Sequence, residues 1–462
     1  MLEILREINA ILWGPPSLIL LAGTGLFLTL QLKGMQFSKL GYAFKLAFTK
    51  DKSDDDAEGD VSNFKTLMTS LAGMIGNGNI AGVATAITLG GPGALFWMWL
   101  VGLLGMATKY SEALLAQMYR VKNKNGEYSS GPMYYIEKGL GSKFKWLAVL
   151  FAFFAAFAAL GIGNGVQSNT IADVMENSFN VTGWVTGVTL VILVGLIVFG
   201  GIKRISNVAG VFVPVMAVLY IVSALLILAL NYDQIIPAFG LIFKHAFTPV
   251  SAAGGFSGIV VMQAMQHGVS KGIFSNEAGL GTVALIAGNA RTTHPAKQAL
   301  VAMTSTFIVT IVVCTMTGLV LIVTGFWDAS GGLISGVSHN PNLEAGALTS
   351  AAFGSSLGAI GEYIVSISVV FFGFSTIIAW YVYGIKCFEY LFGLKYIVVY
   401  GVIYITATFL GTVADLSTVW AFADTANALM MIPNLIGLLF LYKVIKTETQ
   451  KFFANPVQKV NM

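Results

Sequence analysis

The chain has 462 residues, of which 56% are hydrophobic and only 10% are charged. This composition excludes a water-soluble globular protein and is typical of a protein that crosses a lipid bilayer many times. The formal net charge of +4 is too small to indicate a nucleic-acid partner, and we expect none.

Eleven apolar stretches are candidates for crossing a membrane, because an apolar helix of about 20 residues spans the hydrocarbon core. They lie at residues 12–32, 64–89, 94–118, 146–172, 183–201, 207–230, 250–290, 298–325, 358–385, 396–412 and 417–442. The sequence therefore predicts an all-α polytopic membrane protein with eleven transmembrane helices.

The second stretch, residues 64–89, is interrupted by Gly76-Asn77-Gly78-Asn79. Glycine weakens a helix, and side-chain amides cost free energy in lipid. Irregular backbone at membrane depth is tolerated where it lines a polar cavity. We predict a broken helix whose backbone binds a ligand; the alternative is an unbroken helix with a glycine packing face.

The stretch at 250–290 is long for one crossing and is interrupted at residues 267–272. Ser275 would cap a second half-helix there, with Glu277 in its first turn near the positive helix end. The alternative is a helix that ends at Gln266 and is followed by a cytoplasmic loop and a re-entrant helix.

Apart from the first crossing, the interrupted stretches are the first and the sixth of ten, which is typical of transporters with two inverted five-helix repeats. The predicted units are residues 1–62 (extracellular N-terminus, extra helix and cytoplasmic loop), 63–232 (first repeat), 233–445 (second repeat) and 446–462 (cytoplasmic tail).

The basic residues predict the orientation of the chain. With the loop after the first crossing in the cytoplasm, all but three of the 26 Lys and Arg residues fall on the cytoplasmic side. Arg6 and Lys244 lie on the other side, and Lys271 lies within a span. Because cytoplasmic loops are enriched in Lys and Arg, we predict a multi-pass cell-membrane protein with its N-terminus outside and its C-terminus inside.

A polar face occurs in the stretch at 146–172, where helical spacing aligns Asn164, Gln167 and Ile171. Thr170 follows three residues after Gln167. Polar residues on such a face either bind a ligand or form hydrogen bonds between helices.

Four motifs follow in order: GNGNIAGV (residues 76–83), GGPGA (90–94), GPMYYIEKG (131–139) and GIFSNEAGLG (272–281). Together they resemble the alanine/glycine:cation symporter family, and the likeness continues through Phe374-Ser375-Thr376 and Trp380. The resemblance implies a leucine-transporter-type fold. It also implies inward symport of a small neutral amino acid, alanine and/or glycine, with a cation, by alternating access in the lipid bilayer and without a cofactor.

The resemblance also implies a substrate site at the two interruptions. Backbone N–H groups at residues 76–79 and the helix start near Ser275 suit a carboxylate, and free carbonyls at residues 273–275 suit an ammonium group. Phe274 would cover the side-chain pocket, with simple packing as the alternative. The predicted substrate-binding residues are Gly76, Asn77, Gly78, Asn79, Gln167, Thr170, Ile273, Phe274, Ser275 and Asn276.

By analogy with the leucine-transporter-type arrangement, a sodium ion would be held by the Ser375 and Thr376 hydroxyls and by carbonyls near Ala72 and Ile75. The alternative is that both hydroxyls bond to carbonyls of their own helix. Asn79 is a candidate for a second cation site or for the substrate.

Two alternatives to sodium symport remain open at this stage. The intramembrane carboxylates Glu277 and Asp424 are candidates for proton coupling, and a passive facilitator would need no ion ligands. An enzyme is not expected, because the histidines are scattered and no nucleophile and base are paired.

Overall fold

The protein is described by a computed structural model that covers residues 2–49, 54, 56–248, 257–326, 345–414 and 416–454. The chain begins with the helices α1 (Leu2–Leu12), α2 (Pro15–Gln31), α3 (Met35–Ser38) and α4 (Leu40–Phe48). Proline at the start of α2 suits this position, because the first helical residues need no N–H donor. The first predicted span corresponds to α2, and α1 is bent from it by 43°.

The next span is broken where the sequence predicts it. Helix α5 (Asn63–Met74) is followed by a 3-10 turn (Asn77–Asn79) and by α6 (Ala81–Gly90). Ser62 caps α5, since its hydroxyl accepts the Lys65 N–H at 3.3 Å. The prediction of a broken helix is confirmed here, and the alternative of an unbroken helix is wrong.

The middle of the chain is also helical. It contains α7 (Gly93–Tyr119), α8 (Pro132–Leu140), a 3-10 turn (Ser142–Phe144), α9 (Lys145–Leu160), a π-helical turn (Gly161–Gly165), α10 (Val166–Phe179), α11 (Gly183–Val198), α12 (Gly201–Leu230) and α13 (Tyr232–Phe247).

The last part of the described chain contains the remaining helices. They are α14 (Ser257–Asn276), α15 (Ala284–Ala287), α16 (Pro295–Thr306), a π-helical segment (Phe307–Cys314), α17 (Thr315–Val323), α18 (Ala345–Leu357), α19 (Ala359–Phe392), a 3-10 turn (Leu394–Tyr396), α20 (Ile397–Val413), α21 (Leu416–Phe440) and α22 (Tyr442–Ala454).

The second break lies further along the chain than predicted. Helix α14 continues through residues 267–272, so the predicted break there is wrong, and so is the alternative of a helix ending at Gln266. A Cβ on Gly268 would lie 2.3 Å from the Ala94 carbonyl oxygen, and one on Gly272 would lie 2.8 Å from the Val101 side chain. These glycines let α14 pack closely against α7, and they do not interrupt the helix.

The backbone leaves the helix at Glu277, which has a φ of 55°. Gly279 and Gly281 follow with φ values of 89° and 78°, a region that glycine enters at little cost. Ser275 is therefore inside the last turn of α14 and does not cap a following helix.

Four two-residue strands form two small sheets. They are β1 (Val61–Ser62), β2 (Val121–Lys122), β3 (Tyr128–Ser129) and β4 (Ala290–Arg291). β2 and β3 pair antiparallel, and β1 pairs parallel with β4. Because β1 directly precedes α5 and β4 follows α15, the β1–β4 pair joins the start of the first broken helix to the end of the second.

Six helical stretches of the described chain are long and apolar enough to cross a membrane, and α1 with α2 would add a seventh. Helix α12 has one exposed apolar face. The residues on it lie at helical spacing and are 58% to 65% exposed: Val211, Val215, Val218 and Val222. The opposite face of α12 is buried in the bundle. Such an apolar outer stripe faces lipid, so the protein is a multi-pass membrane protein.

Candidate functional site

The backbone of the first break is bound by Gln167 on α10. The Asn77 N–H donates to Gln167 Oε1 at 3.1 Å, and Gln167 Nε2 donates to the Ile162 carbonyl in the π-helical turn at 3.1 Å. The Asn77 side chain donates to the Gln167 carbonyl at 3.4 Å. The structure therefore brings the predicted residues Gln167 and Asn77 together.

Asn79 connects the two sides of the first break to the second broken helix. Its Nδ2 donates to the Met74 carbonyl at 2.7 Å and to the Gly76 carbonyl at 3.3 Å. Its Oδ1 accepts a hydrogen bond from the Ser275 hydroxyl and another from Cys314 Sγ at 3.3 Å. Asn79 and Ser275, both predicted as substrate-binding residues, are thus in direct contact.

The predicted cation ligands Ser375 and Thr376 lie against the end of α5. Thr376 donates to the Ala72 carbonyl at 3.0 Å, and Ser375 lies 3.4 Å from the same oxygen. Both hydroxyls also lie 2.9 Å from the Phe372 carbonyl, so each bonds to its own helix, as the alternative predicts, and also reaches the Ala72 carbonyl. Ile75 follows at the point where the backbone leaves α5, with φ −80° and ψ 80°.

Phe274 forms an apolar wall directly on the first break. A Cβ on Gly78 would lie 2.4 Å from the Phe274 ring, and Gly76 is similarly close to Thr376. The Phe274 ring also stacks on the Trp420 ring, with 4.9 Å between the ring centroids. Because no side chain fits between residue 78 and Phe274, the space on this side of the break is narrow.

Three predicted substrate-binding residues use their polar groups in hydrogen bonds within the protein. The Ile273 carbonyl is not free, since it accepts the Glu277 N–H at 2.7 Å. The Asn276 amide binds Thr310 at 3.1 Å and the Ala278 N–H at 2.9 Å. The Thr170 hydroxyl donates to its own helix at 2.8 Å.

The N–H groups of the second break are bound by a carboxylate of the protein itself. Glu112 Oε1 on α7 accepts the Gly279 and Gly281 N–H groups at 3.1 and 3.0 Å, and it also accepts Asn434 Nδ2 at 2.7 Å. Glu112 was not among the predicted site residues. The signal in the sequence was a carboxylate inside the apolar stretch 94–118.

Trp380 on α19 bridges the two breaks. Its indole N–H lies 2.9 Å from Glu277 Oε1 and 3.3 Å from the Gly73 carbonyl at the end of α5. The other Glu277 oxygen accepts the Thr282 hydroxyl at 2.6 Å. Sequence reasoning included Trp380 in the resemblance but assigned it no role.

Cys314 and Thr317 also contact the first break, and neither was predicted to do so. Cys314 Sγ lies 3.0 Å from the Ser275 hydroxyl, so this cysteine is more than a small packing residue. Thr317 donates to the Asn79 carbonyl at 2.8 Å. The run Cys314-Thr315-Met316-Thr317 in an apolar span was the available signal.

The family model for the sodium:alanine symporter family matches residues 1–461 of the chain. The chain belongs to the sodium:alanine symporter family. It is therefore a membrane transporter and not an enzyme, as the sequence predicts.

The relatives of this symporter-family chain include two proteins that are named for alanine transport. The sodium/alanine symporter AgcS of Methanococcus maripaludis is 50% identical, over 99% of this chain and 98% of that protein. A putative sodium/proton-dependent alanine carrier protein, YrbD of Bacillus subtilis, is 41% identical over 96% of this chain and 90% of that protein.

A solved structure supports the fold of this family member. MhsT, crystallised with L-phenylalanine, aligns with a TM-score of 0.62 at 16% identity, covering 83% of this chain and 89% of MhsT. At this identity the likeness supports a transporter-like fold and says nothing about which substrate this chain carries.

Proposed function

We propose that the protein is a secondary active symporter that couples inward movement of sodium to uptake of a small neutral amino acid, alanine and/or glycine. The first broken helix, between Met74 and Ala81, would hold both the substrate and the ion. The observation that carries the proposal is the meeting of this break with Gln167, Phe274, Ser275 and Thr376 from three other helices.

The oxygen atoms around Ala72 support a cation site. The Ser375 and Thr376 hydroxyls each lie within 3.4 Å of the Ala72 carbonyl, and all three residues are buried. A dehydrated monovalent cation is stabilised by such carbonyl and hydroxyl oxygens. We propose that a sodium ion binds these oxygens and a carbonyl near Ile75.

The groups beside Gly78 support a small zwitterionic substrate. We propose that the backbone N–H groups of Gly76 and Gly78 bind its carboxylate, since those of Asn77 and Asn79 donate to Gln167 Oε1 and to the Gly76 carbonyl. The buried Asn77 Oδ1 accepts no hydrogen bond from the described residues and suits the ammonium group. The contact of the Phe274 ring with Gly78 narrows this side of the break, and we propose that the site therefore favours the short side chains of alanine and glycine over large amino acids.

The predicted architecture is part of the proposal. It comprises eleven membrane-spanning helices, two inverted five-helix repeats at residues 63–232 and 233–445, and a cytoplasmic C-terminus after residue 445. Alternating access would move one group of helices relative to the other around the breaks. Contacts such as the 2.8 Å ion pair of Lys297 with Asp54 would then open and close.

Proton coupling is the second candidate. The buried Glu277 carboxylate, which joins the two breaks through Trp380, is the observation that favours it. The name of the YrbD relative also includes a proton alternative.

Uptake of labelled alanine into proteoliposomes tests the proposal, with sodium and pH gradients imposed separately. We expect accumulation above equilibrium only with an inward sodium gradient, and loss of accumulation in Asn79→Ala at normal expression. Accumulation driven by pH alone would favour proton coupling. Equilibration without any gradient would indicate a passive facilitator and contradict the proposal.

A further inference from the structure

A pocket of about 290 Å³ lies between the end of α2 and the C-terminal helix α22. Gln31 and Lys33 line it at the end of α2, and Lys446, Gln450 and Phe453 line it from α22. It is distant in the chain from both helix breaks, and the proposed transport site uses none of these residues.

Lys33 occupies a backbone position that normally selects glycine. The Gly34 N–H donates to the Thr29 carbonyl at 2.8 Å, and the Lys33 N–H donates to the Leu30 carbonyl at 3.1 Å. These two bonds define a Schellman end of α2, in which Lys33 takes the left-handed conformation with φ 55°. A lysine here costs backbone free energy, and strain of this kind is retained where the side chain has a function.

The charges in the pocket have one sign. Among the described residues, Lys33 and Lys446 line it and no carboxylate does. Neither lysine forms an ion pair within the described part of the chain, while Glu448 on α22 pairs with His294 and Lys451. Lys446 instead donates to Gln31 Oε1 at 3.2 Å. Two cations with nearby amide groups match the acceptor oxygens of a phosphate group.

The pocket lies at the border of the apolar outer surface. Leu30, three residues before Lys33, is 66% exposed, and Phe37 on α3 is 53% exposed. Large apolar side chains exposed at the end of a membrane-spanning helix face lipid, and basic residues just beyond them lie at the level of the lipid headgroups. Phe453 and Met35 give the pocket wall itself an apolar part.

We propose that this pocket binds the phosphodiester headgroup of an anionic phospholipid, with Lys33 and Lys446 as the two cationic ligands and the acyl chains on the outer surface beside Leu30 and Phe37. Basic pockets between helices at the cytoplasmic side of a membrane recognise such headgroups. A free phosphate ion offers the same oxygen atoms and is distinguished by the test.

Equilibrium binding to the purified full chain in neutral detergent tests the proposal. The probes are dihexanoyl phosphatidylglycerol, dihexanoyl phosphatidylcholine and inorganic phosphate. The test variant is Lys33→Gly with Lys446→Gln, in which glycine also relieves the left-handed backbone, so the variant should fold at least as well. The matched control is Lys443→Gln with Lys451→Gln, which removes the same total charge at two positions of α22 outside the pocket.

We expect phosphatidylglycerol to bind the original chain and the control equally, and the pocket variant at least about tenfold more weakly. Phosphatidylcholine should bind more weakly to all three proteins. Equal binding of phosphatidylglycerol to the pocket variant and the control would overturn the assignment. Inorganic phosphate binding as tightly as phosphatidylglycerol would overturn the choice of a lipid.

Discussion

The indole N–H of Trp380 lies 2.9 Å from the buried carboxylate of Glu277. Trp380 also reaches the Gly73 carbonyl at 3.3 Å, so one side chain on α19 contacts the ends of both broken helices. A change in the relative position of the two breaks must therefore alter the hydrogen bonds of this indole.

Replacing Trp380 by phenylalanine tests this connection. The change keeps an aromatic ring but removes the N–H, and a buried group that loses its partner costs about 1–3 kcal/mol. We expect the maximal rate of alanine uptake to fall at least about tenfold at normal expression. Trp146→Phe is the control, since Trp146 is 59% exposed. Equal rates in the two variants would argue against a role for the indole N–H.

Gly78→Ala tests whether Phe274 limits the size of the site. The added methyl group would meet the Phe274 ring at 2.4 Å, so we expect the KM for alanine to rise at least about tenfold. Gly82→Ala is the matched control in the same broken span, because its Cβ would have nothing within 4 Å. Adding Phe274→Leu to Gly78→Ala should restore part of the affinity. Similar KM values for Gly78→Ala and Gly82→Ala would contradict the assignment.

Thr376→Val tests the proposed cation site. Valine has nearly the same shape as threonine but lacks the hydroxyl that lies 3.0 Å from the Ala72 carbonyl. We expect the sodium concentration for half-maximal uptake to rise about tenfold or more, since an oxygen ligand is lost. Thr406→Val is the control, because the Thr406 hydroxyl is exposed and bonds only its own helix. An unchanged sodium dependence would place the ion elsewhere.

The first broken helix could be predicted from the sequence because its glycines alternate with side-chain amides. Glycine that only permits close packing does not need polar neighbours, whereas Asn77 and Asn79 need hydrogen-bond partners in the membrane. The Gln167 carbonyl accepts from Asn77 Nδ2, and Ser275 and Cys314 donate to Asn79 Oδ1.

The second break could not be located because two kinds of glycine lie close together in the chain. Gly268 and Gly272 allow contact with α7, while Gly279 and Gly281 adopt positive φ values. Local sequence does not distinguish these uses, since the difference depends on a helix more than 150 residues earlier in the chain. The role of Glu112 was missed for the same reason.

The pH dependence of stability should include a contribution from His294, which caps α16. Its Nδ1 accepts the Ala296 N–H at 3.1 Å, which requires an unprotonated nitrogen. Burial lowers the pKa of His294, although Glu448 at 3.4 Å opposes the shift. Because the folded protein binds this proton less readily than the unfolded chain, the stability contribution is present above about pH 6.5 and is lost as the pH falls below that value.

Thermal unfolding of the original chain and of His294→Asn measures this contribution. Asparagine keeps a neutral N-cap at both pH values. We expect the unfolding temperature of the original chain to fall more between pH 7.5 and pH 5.5 than that of the variant. The same loss in both proteins would show that His294 does not contribute.

The central claim is that substrate and sodium bind together at the first broken helix. Binding of labelled alanine to the purified protein at increasing sodium concentration tests it most directly, because coupling between two ligands is reciprocal. The account predicts that sodium raises the alanine affinity of the original chain and that Thr376→Val greatly weakens this effect. Alanine affinity that is independent of sodium in the original chain would contradict it.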